Sequence, residues 1–281
     1  MALPTKSSIN YFKKIIKIIL CWIILTISCL GLTSCGEAEQ QEIVIGCSSN
    51  TGGMLVNFAL TGFADFAVTA TDGMSAYLMM DCCSTKSTWS LTSGDLDGAV
   101  LCPDAAAAFL AENDDFLLAG PLTYDTEVLV VADPGLETIG YMNGQKRQQE
   151  NLVAQYGNKP HYAPVLATSL PYALMTGQVD AAVLDIGTAI WLDYPFVPLR
   201  GEKPTTVLVV HQDFYASTEY HTLLLALENA RAALADFIPF QQAMKFLFTE
   251  EIGRKEYERW LSTEIKFPVQ LKQSETPIKK D

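Results

Sequence analysis

The first half of the sequence has very few basic residues. Between Gly36 and Gln145 the only lysine or arginine is Lys86. This part of the chain therefore has almost no side chain that could clamp a carboxylate, sulfonate or phosphate, although helix N-termini could still hold an anion. The formal net charge of the whole chain is −13. An acidic surface argues against nucleic acid and anionic lipid as partners, so we expect no nucleic acid partner.

Motifs of nucleophilic and redox catalysis are also missing. The sequence has no C-x-x-C pair, and none of its histidines has metal-ligand spacing or a place near a candidate nucleophile. Cys82 and Cys83 could still act as a redox dithiol and Cys102 as a nucleophile, which keeps a thiol enzyme as an alternative. A disulfide between the neighbours Cys82 and Cys83 would close a strained ring. We expect a binding protein that is not an enzyme and has no cofactor.

The first 35 residues resemble an export leader. A lysine-rich start precedes a mostly apolar run at 15–32, and the four residues that end at Cys35 read LTSC, which matches a bacterial lipobox. We expect residues 1–35 to be a signal peptide with Cys35 lipidated, and residues 36–41 to be a flexible tether. An uncleaved membrane anchor is the alternative, because about 18 apolar residues could span a bilayer. In both cases the rest of the chain lies outside the cytoplasm.

One segment occurs twice in the sequence. Residues 91–102, LTSGDLDGAVLC, align without a gap with residues 174–185, LMTGQVDAAVLD. Each copy is typical of a helix end, a glycine cap, a short buried strand and the next helix. Such a repeat predicts two similar α/β lobes in one chain. Because ligands of open α/β sheets bind beyond the carboxyl ends of the strands, Cys102 and Asp185 should occupy matching places on facing lobes.

The glycines and aspartates of the two copies have predictable roles. The cap glycines should adopt the left-handed conformation that closes a helix. Asp97 and Asp180 open the buried strands, away from the crevice, so we assign them structural roles. Two roles are open for Asp185, which could either contact a ligand or cap the helix that starts at Ile186.

The order of predicted elements divides the exported part into two lobes. We expect lobe 1 to comprise 42–122 and 206–281, and lobe 2 with the hinge to comprise 123–205. The predicted fold class is α/β, with two Rossmann-like lobes joined by a hinge. Local predictions are a first strand at 42–46, a helix from about Met54, strands at 76–80, 98–101, 138–141, 164–167 and 205–210, a loop at 191–203, and C-terminal helices at 218–263 broken near Pro239 and Gly253.

Four cysteines of the exported part follow predicted strands of lobe 1. Cys47 follows the first strand, Cys82 and Cys83 the second, and Cys102 the third. Thiolates select soft metals, and helix N-termini near Cys47 and Cys102 would favour the thiolate. These four residues form the predicted metal site. For each of them, a buried cysteine that packs as a small hydrophobe is the alternative, and pairing in disulfides is another.

Further candidate contacts lie at the other strand exits and in the crossover between lobes. Met142 and either Tyr124 or Tyr141 could cover an organic group of the ligand. The candidate polar contacts, each of which could instead cap a helix, are Asn50, Thr51, Asn143, Thr168 and Ser169.

The lipobox, the order of lobes and the pattern ALxxGxxDxxxx, matched at 91–97 and 174–180, resemble the type II periplasmic-binding-protein family, in particular the substrate-binding lipoproteins of ABC importers. The resemblance implies a ligand bound between two lobes that close around it, and delivery to an ABC permease driven by a separate ATPase. Residues 81–84, DCCS, beside Cys47 and Cys102, are similar to the substrate-binding component of a proposed system for selenocysteine-assisted organometal transport. In this chain only cysteine occupies these positions.

This resemblance implies a monomeric, lipid-anchored protein outside the cytoplasm of a bacterium. Its expected ligand is a thiophilic metal or organometal compound held by cysteine thiolates. The alternative is a small neutral or sulfur-containing organic solute.

Overall fold

The computed structural model describes residues 42–61, 73–79, 85–199, 201, 203–263, 265–268 and 271 of the 281 residues, with the backbone alone at 85–87. The predicted signal peptide, Cys35, the tether, Cys82 and Cys83 lie outside the described residues. The chain from Glu42 onwards forms one compact unit. Within the described ranges, no helix has the length and apolar character needed to cross a bilayer.

Two five-stranded sheets organise the chain. The elements of the first part are β1 (Ile43–Ser48), α1 (Thr51–Leu60), β2 (Met74–Met79), α2 (Thr85–Thr92), β3 (Gly98–Leu101), α3 (Pro103–Leu110) and β4 (Phe116–Thr123). Those of the second part are β5 (Glu127–Val131), β6 (Thr138–Met142), α4 (Lys146–Tyr156), β7 (His161–Val165), a 3-10 turn (Ala167–Ser169), α5 (Leu170–Met175), β8 (Ala181–Asp185), α6 (Ile186–Ala189) and β9 (Phe196–Pro198). The last are β10 (Thr206–His211), α7 (Gln212–Tyr215), α8 (Thr218–Ala233), α9 (Phe237–Met244) and α10 (Arg254–Leu261).

The two sheets have the same kind of strand order. The first runs β2-β1-β3-β10-β4 and the second β7-β6-β8-β5-β9. In each sheet three neighbouring strands are parallel, β2, β1 and β3 in the first and β7, β6 and β8 in the second. The next strand is antiparallel in both sheets, because β10 pairs with β3 and β5 pairs with β8. Below, lobe 1 and lobe 2 denote the first and second sheets with the helices packed on them. The predicted bilobal α/β fold is confirmed.

The C-terminal helices pack on lobe 1. Helices α8 and α9 both lie against α1, and their side chains Tyr220 and Phe240 are fully buried. Burial of side chains of this size contributes about 1.5–3 kcal/mol each to folding. The break expected near Pro239 lies between α8 and α9, and Pro239 is the third residue of α9. Proline is tolerated there because the first N–H groups of a helix have no partner within the helix.

The sequence repeat is a structural repeat. Gly94 and Gly177 have φ angles of +79° and +70°, the left-handed conformation expected of a helix cap. The Oδ2 atom of Asp97 accepts from the N–H of Val44 at 2.8 Å, and Oδ2 of Asp180 accepts from Thr138 N–H at the same distance. Asp97 therefore connects the start of β3 to β1, and Asp180 connects the start of β8 to β6, both away from the crevice.

Two predicted element boundaries differ from the structure for a packing reason. Strand β1 extends to Ser48, and α1 begins at Thr51 rather than near Met54. The Asn50 side chain caps α1 by accepting from Gly53 N–H at 2.9 Å. A Cβ atom on Gly53 would lie 1.8 Å from the Ser48 carbonyl oxygen. Glycine is needed there so that the first helical turn can approach the strand end, whereas the sequence pattern alone suggested a loop.

Two further predictions are wrong in lobe 2. The segment 191–203 is not all loop, because it contains β9, which pairs antiparallel with β5 at the sheet edge. The strand expected at 164–167 lies at His161–Val165. In both places proline obscured the pattern, since Pro164 and Pro198 are strand residues and proline in strands is confined to edges and ends.

Candidate functional site

A cavity of about 170 Å³ lies between the two lobes, at the ends of β1, β3, β6 and β8. Lobe 1 and the segment that returns to it supply Ser48, Ser49, Asn50, Cys102, Thr205 and Thr206. The polar and sulfur-containing side chains from lobe 2 are those of Thr126, Glu127, Met142, Gln145, Gln148, Thr168, Asp185 and Thr188. Ligands of α/β sheets bind at such strand ends, so this cavity is the candidate binding site.

The end of β1 contributes Ser48 rather than Cys47 to the cavity wall. Successive residues of a strand face opposite sides of the sheet. Cys47 is fully buried in the core with Ile45, Met54 and Leu55, and its thiol donates to the Ile45 carbonyl at 3.6 Å. Burial raises the pKa of the Cys47 thiol well above its ordinary value. The structure thus separates Cys47 from the cavity and disfavours its thiolate.

Ser48 has an unusual environment for a hydroxyl group. Its residue is 1% exposed, and its Oγ atom has no hydrogen-bond partner in the part of the chain that the structure describes. A buried hydroxyl without a partner costs about 1–3 kcal/mol. Because Ser48 lines the cavity, a bound ligand could supply the missing partner.

Cys102 and Asp185, the last residues of the two repeat copies, both cap helices at the cavity. Cys102 precedes α3, and its Sγ atom accepts from Ala105 N–H at 3.4 Å. Asp185 precedes α6, and its Oδ1 atom accepts from Gly187 N–H at 2.9 Å. The repeat therefore puts one thiol and one carboxylate at equivalent helix starts on opposite walls.

Asp185 also connects the two lobes. Its Oδ1 atom accepts from Thr51 N–H at 3.0 Å and from the Thr51 hydroxyl at 2.6 Å. The Oδ2 atom accepts no hydrogen bond from the described residues. Burial raises the pKa of the Asp185 carboxyl to about 6, which the hydrogen bonds from Thr51 and Gly187 only partly oppose, and the negative charge of Glu127 raises it further. Asp185 is thus an incompletely paired carboxylate in the cavity wall.

A buried ion pair forms another part of the wall. The two terminal nitrogens of Arg147 donate to the two carboxylate oxygens of Glu127, each at 2.6 Å, and Gln148 Nε2 donates to Glu127 at 2.8 Å. The side chains of Arg147 and Glu127 are 3% and 9% exposed. Burial alone would lower the pKa of Arg147, but the charges of Glu127, Asp104 and Cys102 outweigh this and raise it. The arginine therefore stays charged and is neutralised by Glu127.

Four threonine hydroxyls join the two chain crossings between the lobes. The Oγ1 atom of Thr123 lies 2.8 Å from that of Thr205 and 2.6 Å from that of Thr206. Thr126 Oγ1 donates to Thr205 Oγ1 at 2.8 Å. All four residues are buried. This network holds together the segments in which any hinge motion between the lobes has to occur.

The structure brings part of the predicted site together. Cys102, Asp185, Met142, Asn50 and Thr168 line the cavity, and Thr51 reaches it through Asp185. The predicted contacts that do not line it are Cys47, Tyr124, Tyr141, Asn143 and Ser169.

Three of the predicted residues that do not line the cavity have other roles. The backbone of Tyr124 pairs with that of Lys266, Tyr141 is packed in a core cluster of lobe 2, and Asn143 N–H donates to the Val165 carbonyl. The described residues contain no group of three or more His, Cys, Asp or Glu side chains arranged to hold a metal ion. Cys82 and Cys83 lie outside those residues, so their part in a site with Cys102 stays a prediction, whereas Cys47 lies in the core.

Several residues of the cavity wall are not among those predicted from the sequence. Ser48 was not predicted because the first strand was expected to end at residue 46, two residues before its end in the structure. Glu127 carried a usable signal, because it is a single acid at the start of the apolar run EVLVV. The other missed polar residues, which have no sequence signal that we recognise, are Ser49, Thr126, Gln145, Gln148, Thr188, Thr205 and Thr206.

No protein-family model and no curated protein matches the chain, but solved structures resemble it. The zinc-bound ligand-binding component of an ABC-type import system from Staphylococcus aureus has a TM-score of 0.61 at 12% identity, over 80% of this chain and 84% of the other. The alkanesulfonate-binding protein of Xanthomonas axonopodis pv. citri, bound to MOPS, has a TM-score of 0.59 at 15% identity, over 80% and 85%. An ABC transporter protein from Parabacteroides distasonis has a TM-score of 0.60 at 15% identity, over 78% and 84%. At these identities the likeness establishes a shared bilobal fold.

Proposed function

We propose that the chain is the substrate-binding protein of an ABC importer. The observation that carries the proposal is the cavity of about 170 Å³ enclosed by side chains from both lobes. Two lobes joined by a hinge can enclose a ligand and release it when they separate. The proposal gains support from the fold, which is shared with proteins named as components of ABC import systems. Delivery to a permease, driven by a separate ATPase, completes the proposed role.

The composition of the cavity favours a small organic solute as the ligand. Most of its polar wall consists of hydroxyl and amide groups, and the apolar side chains of Leu170, Val183 and Leu184 line the rest. A cavity of roughly 150 Å³ holds a molecule the size of benzene. The geometry therefore ranks the organic solute above a metal coordinated by several cysteines.

A direct test is to ask whether the chain binds and releases a solute unchanged. We expect native mass spectrometry of the full chain to detect a small bound molecule, and denaturation to release the same mass. The Asp185→Asn variant should lose this complex. Asp213→Asn is the matched control, because the Asp213 side chain is 95% exposed and does not line the cavity. Release of a chemically altered molecule would instead indicate an enzyme.

A thiophilic ligand is the second candidate, because two sulfur-containing side chains, Cys102 and Met142, line the same cavity. Thiolate and thioether sulfur are soft ligands. The Cys102 sulfur sits at a helix N-terminus, which favours a thiolate. An alkylmercury cation needs one strong bond to a thiolate, so Cys102 alone would suffice, and Cys82 and Cys83 could add to it.

Methylmercury titration of the reduced full chain tests this candidate. We expect one tight adduct that Cys102→Ser abolishes. Cys82→Ser and Cys83→Ser would weaken the same adduct if those thiols share the site. Cys47→Ser is the control, because Cys47 lies in the core. Independent adducts at each thiol would eliminate a shared site.

The membrane anchor is a separate part of the proposal. We propose that residues 1–35 direct export and that lipid on Cys35 holds the protein at the outer face of the bacterial cell membrane, with 36–41 as the tether. The LTSC sequence supports it. Incorporation of labelled palmitate into the wild-type chain, with no label in Cys35→Ser, is the expected result, and equal labelling of both would contradict the anchor.

A further inference from the structure

At four helix starts beside the cavity, side chains of the protein already occupy backbone N–H groups. A helix N-terminus is the usual place for an anion, because its first N–H groups lack partners and carry partial positive charge. Here side chains of the protein take these donors. The five hydrogen bonds join Thr51 and Gly187 N–H to Asp185, Gly53 N–H to Asn50, Ala105 N–H to Cys102, and Arg147 N–H to Asp104.

Two of these acceptors are carboxylates from the opposite lobe. Asp185 of lobe 2 occupies the start of α1 in lobe 1, and Asp104 of lobe 1 occupies the start of α4 in lobe 2. An anionic ligand at the start of α1 or α4 would have to displace one of these carboxylates and then lie beside it. These two helix starts are thus occupied by the protein's own negative charges.

The side chains of the cavity wall also disfavour an anionic ligand. None of the described residues that line the cavity is a lysine, arginine or histidine. The nearest cation in this network, Arg147, makes a two-pronged ion pair with Glu127 behind the wall. After that pair is neutralised, Asp185 remains as a negative charge without a cationic partner. A buried carboxylate in this state is costly unless a ligand compensates it.

We propose that the solute is a small organic cation that carries N–H donors, such as a primary ammonium or amidinium compound, and that Asp185 Oδ2 and Ser48 Oγ receive those donors. This inference rests on the proposed solute-binding function, and it replaces the neutral or sulfur-containing solute, which was the alternative ligand expected from the sequence, with a cationic one. Both oxygens belong to residues of the cavity wall. Ser48 Oγ has no partner among the described residues, and the hydrogen bonds that Asp185 accepts from them go to its other oxygen, Oδ1. The raised pKa of Asp185 agrees with a carboxylate that lacks a counter-charge.

The wall also limits the kind of cation. Quaternary ammonium groups have no N–H donors and are usually recognised by aromatic rings. No Phe, Tyr or Trp is among the described residues that line the cavity. Met142, Leu170 and Leu184 can instead contact a short apolar remainder. The volume of about 170 Å³ is similar to that of a cavity that holds benzene, so we expect a ligand of about that size.

Binding of size-matched probes tests the inference. The full chain, purified in detergent, would be titrated above neutral pH with propylamine, propionamide, propionate and tetramethylammonium, followed by panels of small amines and amidines, amides and carboxylates. We expect the amines and amidines to bind at least tenfold more tightly than the amides, and the carboxylates and tetramethylammonium not to bind. A hydrogen bond to a charged group supports roughly a tenfold to hundredfold loss in Asp185→Asn. The control Asp213→Asn should bind as the wild type does.

The possible failures are distinguishable. If an amide or a carboxylate binds best, and Ser48→Ala weakens it, the charge inference is overturned while solute binding stands. If amines bind but Asp185→Asn has no effect, the assigned acceptor is wrong. If no probe of any charge binds, both the inference and the proposed solute-binding function are contradicted.

Discussion

The hydroxyl of Thr51 in lobe 1 donates to Oδ1 of Asp185 in lobe 2 at 2.6 Å, although the two residues are 134 positions apart in sequence. The backbone N–H of Thr51 donates to the same oxygen. A carboxylate of lobe 2 thereby caps the first helix of lobe 1. This contact couples the packing of the two lobes to the protonation of one wall residue.

Removal of the Thr51 hydroxyl should weaken the association of the lobes. Thr51→Val keeps the shape and the backbone N–H but loses one hydrogen bond to a carboxylate, which contributes roughly 1.5–3 kcal/mol. We expect a larger radius of gyration by small-angle X-ray scattering. Thr92→Val is the control, because its hydroxyl bonds within an exposed helix. An unchanged radius in Thr51→Val would show that this bond does not hold the lobes together.

Asp185 should make stability depend on pH. Its pKa is raised from 3.8 to about 6 by folding, so between these values the folded chain binds more protons than the unfolded chain. Its contribution to stability is therefore fully present below pH 3.8 and is lost as the pH rises through about 6. Roughly 3 kcal/mol is at stake.

Asp185→Asn abolishes this titration while keeping an oxygen acceptor. We expect its free energy of unfolding to fall less between acid and neutral pH than that of the wild type, as measured by urea denaturation. Asp213→Asn, at an exposed position, should follow the wild-type profile. Parallel profiles for Asp185→Asn and the wild type would refute the assigned pKa.

The Ser48 hydroxyl should lower the free energy of unfolding and raise the affinity for the ligand. Ser48→Ala removes a buried hydroxyl without a partner, so we expect the free energy of unfolding to rise by roughly 1 kcal/mol and ligand affinity to fall. The contrasting variant is Ser217→Ala. The Ser217 hydroxyl caps α8 by accepting from Tyr220 N–H at 3.2 Å, and its loss should cost about 1 kcal/mol. Destabilisation of both variants would mean that the Ser48 hydroxyl has a partner.

The ion pair of Arg147 and Glu127 should be strongly coupled. Arg147→Met leaves a buried carboxylate unpaired, and we expect a loss of about 3–5 kcal/mol in urea denaturation. The double variant with Glu127→Gln should recover part of this loss. Lys203→Met breaks an exposed pair with Glu150 and should cost no more than about 1 kcal/mol. Equal losses in the single and double variants would rule out the coupling.

The repeat predicts equal effects at its two cap glycines. A Cβ atom at Gly94 or Gly177 would meet no atom within 4 Å, so alanine costs only the left-handed backbone conformation, about 1–2 kcal/mol. We expect similar losses of melting temperature in Gly94→Ala and Gly177→Ala. Asparagine tolerates this conformation better, so the Asn variants should lose less. A harmless Ala substitution at either position would contradict the cap assignment.

Prediction from sequence succeeded where a feature depends on neighbours along the chain. The glycine cap, the aspartate that opens the strand and the helix-capping residue all lie within twelve positions of each repeat copy, so the pattern indicated them directly. The position of Cys47 was different. Whether Cys47 or Ser48 faces the cavity depends on where β1 ends, and a change of one residue exchanges the two faces of a strand. In the structure β1 runs to Ser48, Cys47 packs in the core and Ser48 lines the cavity.

The sequence by itself determined that the chain has two α/β lobes, that the segment 36–145 has a single cation, and that Cys102 and Asp185 stand at equivalent helix starts. These are properties of local pattern and composition. Only the tertiary structure decided which charges neutralise each other. Arg147 pairs with Glu127, and Asp185 faces Thr51, because lobe packing brings groups from distant positions within hydrogen-bond distance. The energy of a buried charge depends on such neighbours and on the water that packing excludes, neither of which a linear pattern contains.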